Sequence, residues 1–164
     1  FYVHFAYICY IINMKVASLA YLKTETEPKF CLITNKQNLF TFPKGNVRKD
    51  EKLTTAALRE LYEEAGVYGK IKTRYSLFSN KPEILYFFVK IEKVKKRWPE
   101  EKYRTRCFLT LHEILLIETN VYTKKIVKEL LNPYSNKGLK TYSQINNLKI
   151  NSDFVSGINP GNLI

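Results

Sequence analysis

The run RELYEEAG places Glu60, Glu63 and Glu64 close together, directly after Arg59 and just before Gly66. At about 100° per residue, a helix through this run brings the three carboxylates into an arc of roughly 100°. Three like charges so close repel one another unless a cation compensates them or some stay protonated. Oxygen-only ligands select a hard ion, Mg²⁺ or Mn²⁺, which keeps waters and binds substrate phosphates. Such an ion would neutralise bridging phosphates, stabilise a leaving phosphate and lower the barrier to attack by water. The bland alternative is a solvated acidic helix face, the common fate of a glutamate cluster. Gly45, Arg59 and Gly66 at fixed offsets weigh against it. Arg59 stands four residues before Glu63 and next to Glu60, close enough to hold a carboxylate in position. As a plain surface pair it would contribute only about 0.2–0.5 kcal/mol. Glu51, at the entry to the helix, reads either as a ligand or as a capping or structural acid.

These side chains need a framework. The pattern predicts a helix from Leu53 to Ala65, stopped by Gly66 in the position after its last turn. Ala57, Leu58, Leu61 and Ala65 lie on an arc centred about 120° from the acids, so one face packs while the other presents carboxylates. Strands are expected at 15–22, 28–34 and 39–42, followed by a loop that leads into the helix. Further strands are expected at 69–76, 83–92 and 106–110, and helices at 111–118 and 121–131, the last ended by Pro133. Strands and helices in this order imply an α/β fold, with a mixed sheet between helices in an α/β/α sandwich.

Residues 14–132 make one domain, between an apolar extension at 1–13 and a tail at 133–164 rich in Asn, Ser, Gly and Lys that reads as weakly ordered. The extension FYVHFAYICYIIN is too short to span a bilayer and has no basic stretch before it, so no membrane partner is expected. It reads as a truncated signal segment, an extra strand, or a stretch preceding a natural start at Met14; the last is preferred. Cys9, Cys31 and Cys107 are widely spaced in apolar runs, which points to buried thiols in a reducing compartment, the cytoplasm or nucleus, rather than to disulfides or zinc. The net charge of +12 suits a polyanionic partner such as a nucleotide, an inositol phosphate or RNA, and equally suits a solvated lysine-rich surface.

Gly45, Glu51, Arg59, Glu60, Leu61, Glu63, Glu64, Gly66 and Val67 match the pattern G-x5-E-x7-R-E-U-x-E-E-x-G-U at all nine defined positions, where U is aliphatic. The chain thereby resembles the Nudix hydrolases. The resemblance implies a Nudix-type sandwich with a catalytic loop and helix. It also implies metal ligation by Glu60, Glu63, Glu64 and the Gly45 carbonyl. One of the glutamates, Glu63 or Glu64 foremost, would double as the base, with Arg59 completing the catalytic set.

TFPKGNV at 41–47, EEAGVYGKI at 63–71 and the stretch around RWPEEKYRTRCF resemble the diphosphoinositol polyphosphate and diadenosine polyphosphate hydrolases. That branch implies a small polyphosphorylated substrate held by Lys44, Arg104 and Arg106. Arg104 and Arg106 are expected on one side of a strand; their bland reading is as solvated basic residues. Trp98 reads either as a stacking surface for a base or as a packing anchor. Asn46 stands where those relatives usually carry a second glycine, and SNKPE at 79–83 is short where fungal relatives often carry an insert. Two other functions compete: cleavage of an mRNA cap, and a non-hydrolytic polyphosphate sensor. A complete glutamate set argues against the sensor.

Overall fold

The computed structural model describes residues 14–80 and 83–132, with side chains described outside 73–83. The extension at 1–13 and the tail at 133–164 lie outside the described residues. Strands β1 (Lys15–Leu22), β2 (Lys29–Thr34), β3 (Phe40–Thr41) and β4 (Lys44–Asn46) precede helix α1 (Leu53–Ala65). Then come β5 (Val67–Asn80), β6 (Glu83–Val94), β7 (Arg106–Leu109), α2 (Leu111–Leu116) and α3 (Val121–Leu131).

The strands form one mixed sheet in the order β3-β2-β1-β6-β5, with β4 added on β1 and β7 on β2. β1 and β6 run parallel from Lys15↔Ile84 to Tyr21↔Lys90, and the other pairings are antiparallel. Because side chains alternate across a strand, β1 feeds two cores. Ala17, Leu19 and Tyr21 join Phe30, Phe42 and Phe88 beneath Leu111, Ile114, Ile126 and Leu130 of α2 and α3. Val16 and Ala20 join Cys31, Ile33, Phe87 and Val89 beneath Ala56, Ala57, Leu61 and Ala65 of α1. The expected α/β/α sandwich is therefore the observed one. Among the described residues, no helix is long and apolar enough to cross a membrane.

Helix α1 lies where its pattern puts it, with small residues on the packed face. Ala56 is buried and Leu58 is only half-buried, a small rotation from the expected stripe. The buried Ser18 hydroxyl of β1 donates to the Ala57 carbonyl at 2.9 Å, tying helix to sheet. Gly66 adopts φ 64°, a left-handed conformation in which its N–H returns to the Tyr62 carbonyl at 2.8 Å.

Some boundaries differ from expectation. The loop after Phe42 contains a short strand, β4, whose pairing with β1 fixes Gly45 opposite Val16. β5 starts at Val67 directly after the helix and runs to Asn80, so most of the expected loop at 77–83 is hairpin strand. β7 begins at Arg106, which leaves Arg104 ahead of the strand rather than on it. α2 stops at Leu116 rather than 118; it begins with a reciprocal cap in which Thr110 Oγ1 accepts from the Glu113 N–H.

Candidate active site

The acidic side of α1 faces an open cleft of about 740 Å³. Glu60, Glu63 and Glu64 line it together with Gly45 and Arg59, as do Lys44 and Arg104. β4 delivers Lys44 and Gly45, α1 delivers the acids, and the segment ahead of β7 delivers Arg104. Lys15, Lys36, Arg48 and Glu100 also line the cleft. Sequence reasoning missed these four, since nothing in their spacing ties them to the motif.

Arg59 is the hub. Its Nε donates to Glu51 Oε1 at 2.7 Å and its Nη2 to Glu51 Oε2 at 2.9 Å, a two-pronged pair. Nη1 reaches Glu60 at 2.6 Å and Glu63 at 3.1 Å, while Nη2 also reaches the Asn46 carbonyl at 3.0 Å. Glu51 also accepts from the Arg48 N–H at 2.9 Å. Hydrogen bonds from Arg59 hold its carboxyl down at about 2. Glu51 is thus a structural acid that anchors Arg59 and makes no side-chain cap on α1.

Gly45 is a glycine because Glu60 passes over it: a Cβ at this position would fall within the Glu60 carboxylate. Glu64 is the deepest of the three acids. It accepts from the Lys44 N–H at 2.8 Å and pairs with Arg104, which also holds Glu100 and donates to the Thr34 carbonyl at 2.9 Å. Burial, opposed chiefly by Arg104, pushes the Glu64 carboxyl up to about 7. The Lys44 ammonium donates to Thr41 Oγ1 at 2.7 Å, and burial lowers its pKa.

The donors are carboxylate and carbonyl oxygens, with no thiol or imidazole among the described residues that line the cleft, so their chemistry fits Mg²⁺ or Mn²⁺. Their present partners are arginines. Among the described residues, no three Asp, Glu, His or Cys side chains converge as a formed ligand set.

Arg106 lies apart from the cleft lining. Its guanidinium stacks over the Trp98 ring at 4.3 Å and donates to the carbonyls of Ala65 and Lys95. Of the three basic residues expected at the substrate, Lys44 and Arg104 line the cleft, whereas Arg106 sits against the end of α1. Trp98 is a packing anchor, its Nε1–H donating to the Glu64 carbonyl at 3.0 Å. Cys31 is buried and Cys107 half-buried, both as free thiols, and burial raises both pKa values. Cys9 lies outside the described residues.

The model of the NUDIX domain family matches residues 14–130. The chain belongs to the Nudix family. It is 31% identical over 98 residues to Nudix hydrolase 4 of Arabidopsis thaliana, covering 56% of this chain and 47% of that protein. The chain therefore spans about half the length of that relative. Nudix hydrolase 18, mitochondrial, of the same plant is 26% identical over 149 residues, covering 87% of this chain and 84% of the relative. Among solved structures, an Ap4A hydrolase binary complex from C. elegans shares the fold with a TM-score of 0.57. It has 21% identity and covers 70% of this chain and 93% of that one.

Proposed function

We propose that this chain is a Mg²⁺- or Mn²⁺-dependent pyrophosphohydrolase acting on a small, densely phosphorylated molecule, a diphosphoinositol polyphosphate before a diadenosine polyphosphate. One observation carries the reading: Glu60, Glu63 and Glu64 share a cleft with Lys15, Lys36, Lys44, Arg48 and Arg104. Carboxylates alone would repel a polyphosphate, and basic residues alone would bind it without cleaving. Together they suit a metal-bridged phosphate chain.

The order of substrates follows from the lining. Among the described residues that line this cleft there is no aromatic ring for a base to stack on, whereas five cationic side chains besides Arg59 suit phosphates spread around a compact scaffold. Tyr103 is exposed beside the cleft, in a smaller depression with Asn35, Lys36, Glu100 and Arg104, where its ring would be the alternative support for an adenine.

Glu60 and Glu63 would exchange Arg59 for the ion, and Glu64 with the Gly45 carbonyl would complete its oxygen set. When bound, the ion neutralises the bridging phosphates and lowers the barrier to water attack. Glu64, with its raised pKa and buried carboxyl, is suited to hold a proton taken from water. Arg104 keeps that carboxyl aimed into the cleft, and Lys44 meets phosphate beside it. The reducing compartment expected from the thiols, cytoplasm or nucleus, is part of the same proposal.

The experiment is phosphate release with Mg²⁺ from an inositol pyrophosphate, diadenosine polyphosphates and capped RNA, compared by kcat/KM. The inositol pyrophosphate is expected to lead. Preference for capped RNA, with a dependence on RNA length, would overturn the substrate assignment.

A further inference from the structure

The last four carbonyls of a helix have no partner within it. In α1 all four are taken, three of them by one segment far along the chain. The Tyr62 carbonyl accepts from the Gly66 N–H at 2.8 Å, and the Glu63 carbonyl from the Glu100 N–H at 3.1 Å. The Glu64 carbonyl accepts from Trp98 Nε1 at 3.0 Å, and the Ala65 carbonyl from Arg106. The Gly66 carbonyl, next in line, accepts from the Lys95 N–H at 2.8 Å. The other end is different: Lys52 at the start of α1 offers no side-chain cap.

Two of these carbonyls belong to Glu63 and Glu64 themselves. The clamp is stiff where it grips. Trp98 and Arg106 stack at 4.3 Å, with Phe108 5.7 Å from the same guanidinium. A Cβ on Gly66 would come within 2.6 Å of Trp98 Cβ, so ring and helix end are in close contact. Neither Trp98 nor Arg106 lines the cleft.

We infer that Trp98 and Arg106 are positioning residues: they bolt the backbone of Glu64 and Ala65, the last turn of α1, to the 95–106 segment and so set where the Glu63 and Glu64 carboxylates meet a divalent cation. The inference rests on the metal-site reading of the proposed function. A shift of the helix end by a fraction of an ångström would move both carboxylates together, and a hard ion tolerates little error in ligand placement. The segment also carries Glu100 and Arg104, so the partner of Glu64 and the anchor of its backbone move as one piece.

The test is Mn²⁺ binding by the full chain without substrate, followed by electron paramagnetic resonance, alongside the urea midpoint. Trp98→Phe keeps the ring and removes only the indole donor. Arg106→Lys keeps the charge and removes the planar fork. Each is expected to weaken Mn²⁺ binding about threefold to tenfold, the range set by losing one hydrogen bond. At saturating metal, KM is expected to hold steady, because neither residue reaches the cleft. A residue that merely stabilised the fold would lower the urea midpoint and leave Mn²⁺ affinity alone. Affinity within about twofold of wild type in the folded variants overturns the inference. Should Trp98→Phe fail to fold, Arg106→Lys decides alone. Lack of Mn²⁺ binding by the wild-type protein is a separate outcome, and overturns the site reading beneath the inference.

Discussion

Replacing Arg59 by Met distinguishes an organising hub from a surface ion pair. The side chain of Arg59 is only 15% exposed, and those of its partners Glu51 and Glu60 are 11% and 15% exposed. The variant leaves Glu51 and Glu60 without their guanidinium and removes the donor to the Asn46 carbonyl. An exposed pair would lose about 0.2–1 kcal/mol, whereas breaking a buried one costs about 3–5 kcal/mol because carboxylates are left uncompensated. These half-buried groups fall between the two limits, so we expect about 2–3 kcal/mol, equivalent to a fall in Tm of roughly 4–12 °C at about 2–4 °C per kcal/mol. Glu51→Gln alone should cost less, since Arg59 keeps Glu60 and Glu63. The double variant Arg59→Met/Glu51→Gln should fall short of the sum by about 1–3 kcal/mol. Urea denaturation of all four proteins in EDTA, which removes stabilisation by bound metal, measures the cycle. A cost below about 1 kcal/mol for Arg59→Met, with additive singles, would refute the hub.

Acid stability follows from the same pair. The Glu51 carboxyl is lowered from 4.5 to about 2 on folding, so its contribution is full above pH 4.5 and is lost as pH falls towards 2. Glu51→Gln should flatten that part of the Tm–pH curve; an unchanged acid limb would contradict the assignment. Gly45→Ala should displace the Glu60 carboxylate and lower Mg²⁺-dependent turnover at least about tenfold, with circular dichroism unchanged. Gly66→Ala meets both a left-handed backbone and Trp98 at 2.6 Å, and should destabilise by about 2–4 kcal/mol in urea. Leu61→Ala, at a fully buried position of α1, should cost about 2–5 kcal/mol in the same assay.

Much of this site was legible because it is local. Helix α1 has its period, its acids and its stop at Gly66 within one short run, and those bounds were read correctly. The sandwich followed from the alternation in β1 and β2 and the periodicity of the later helices. Strand β4 was not legible, since KGN has no strand character and is held by its pairing with β1. The fates of Arg104 and Arg106 were not legible either. Both are basic residues near β7, yet Arg104 faces Glu64 in the cleft while Arg106 meets the end of α1. Only the folded path of the 95–106 segment separates them. The role of Glu51 stays open in the sequence for a similar reason, because the partner that makes it a structural acid, Arg59, lies eight residues further on.

The most direct test is Mg²⁺-dependent phosphate release from an inositol pyrophosphate by wild type and Glu64→Gln, with folding checked by circular dichroism. Gln keeps the volume of Glu64 and can still accept from the Lys44 N–H, but it can neither hold a proton as a base nor bind a cation as an anion. Turnover by wild type and a loss of at least about 100-fold in the variant, nearly 3 kcal/mol of barrier, is the expected result. Equal turnover in the two proteins would contradict a metal-assisted hydrolase built on this helix.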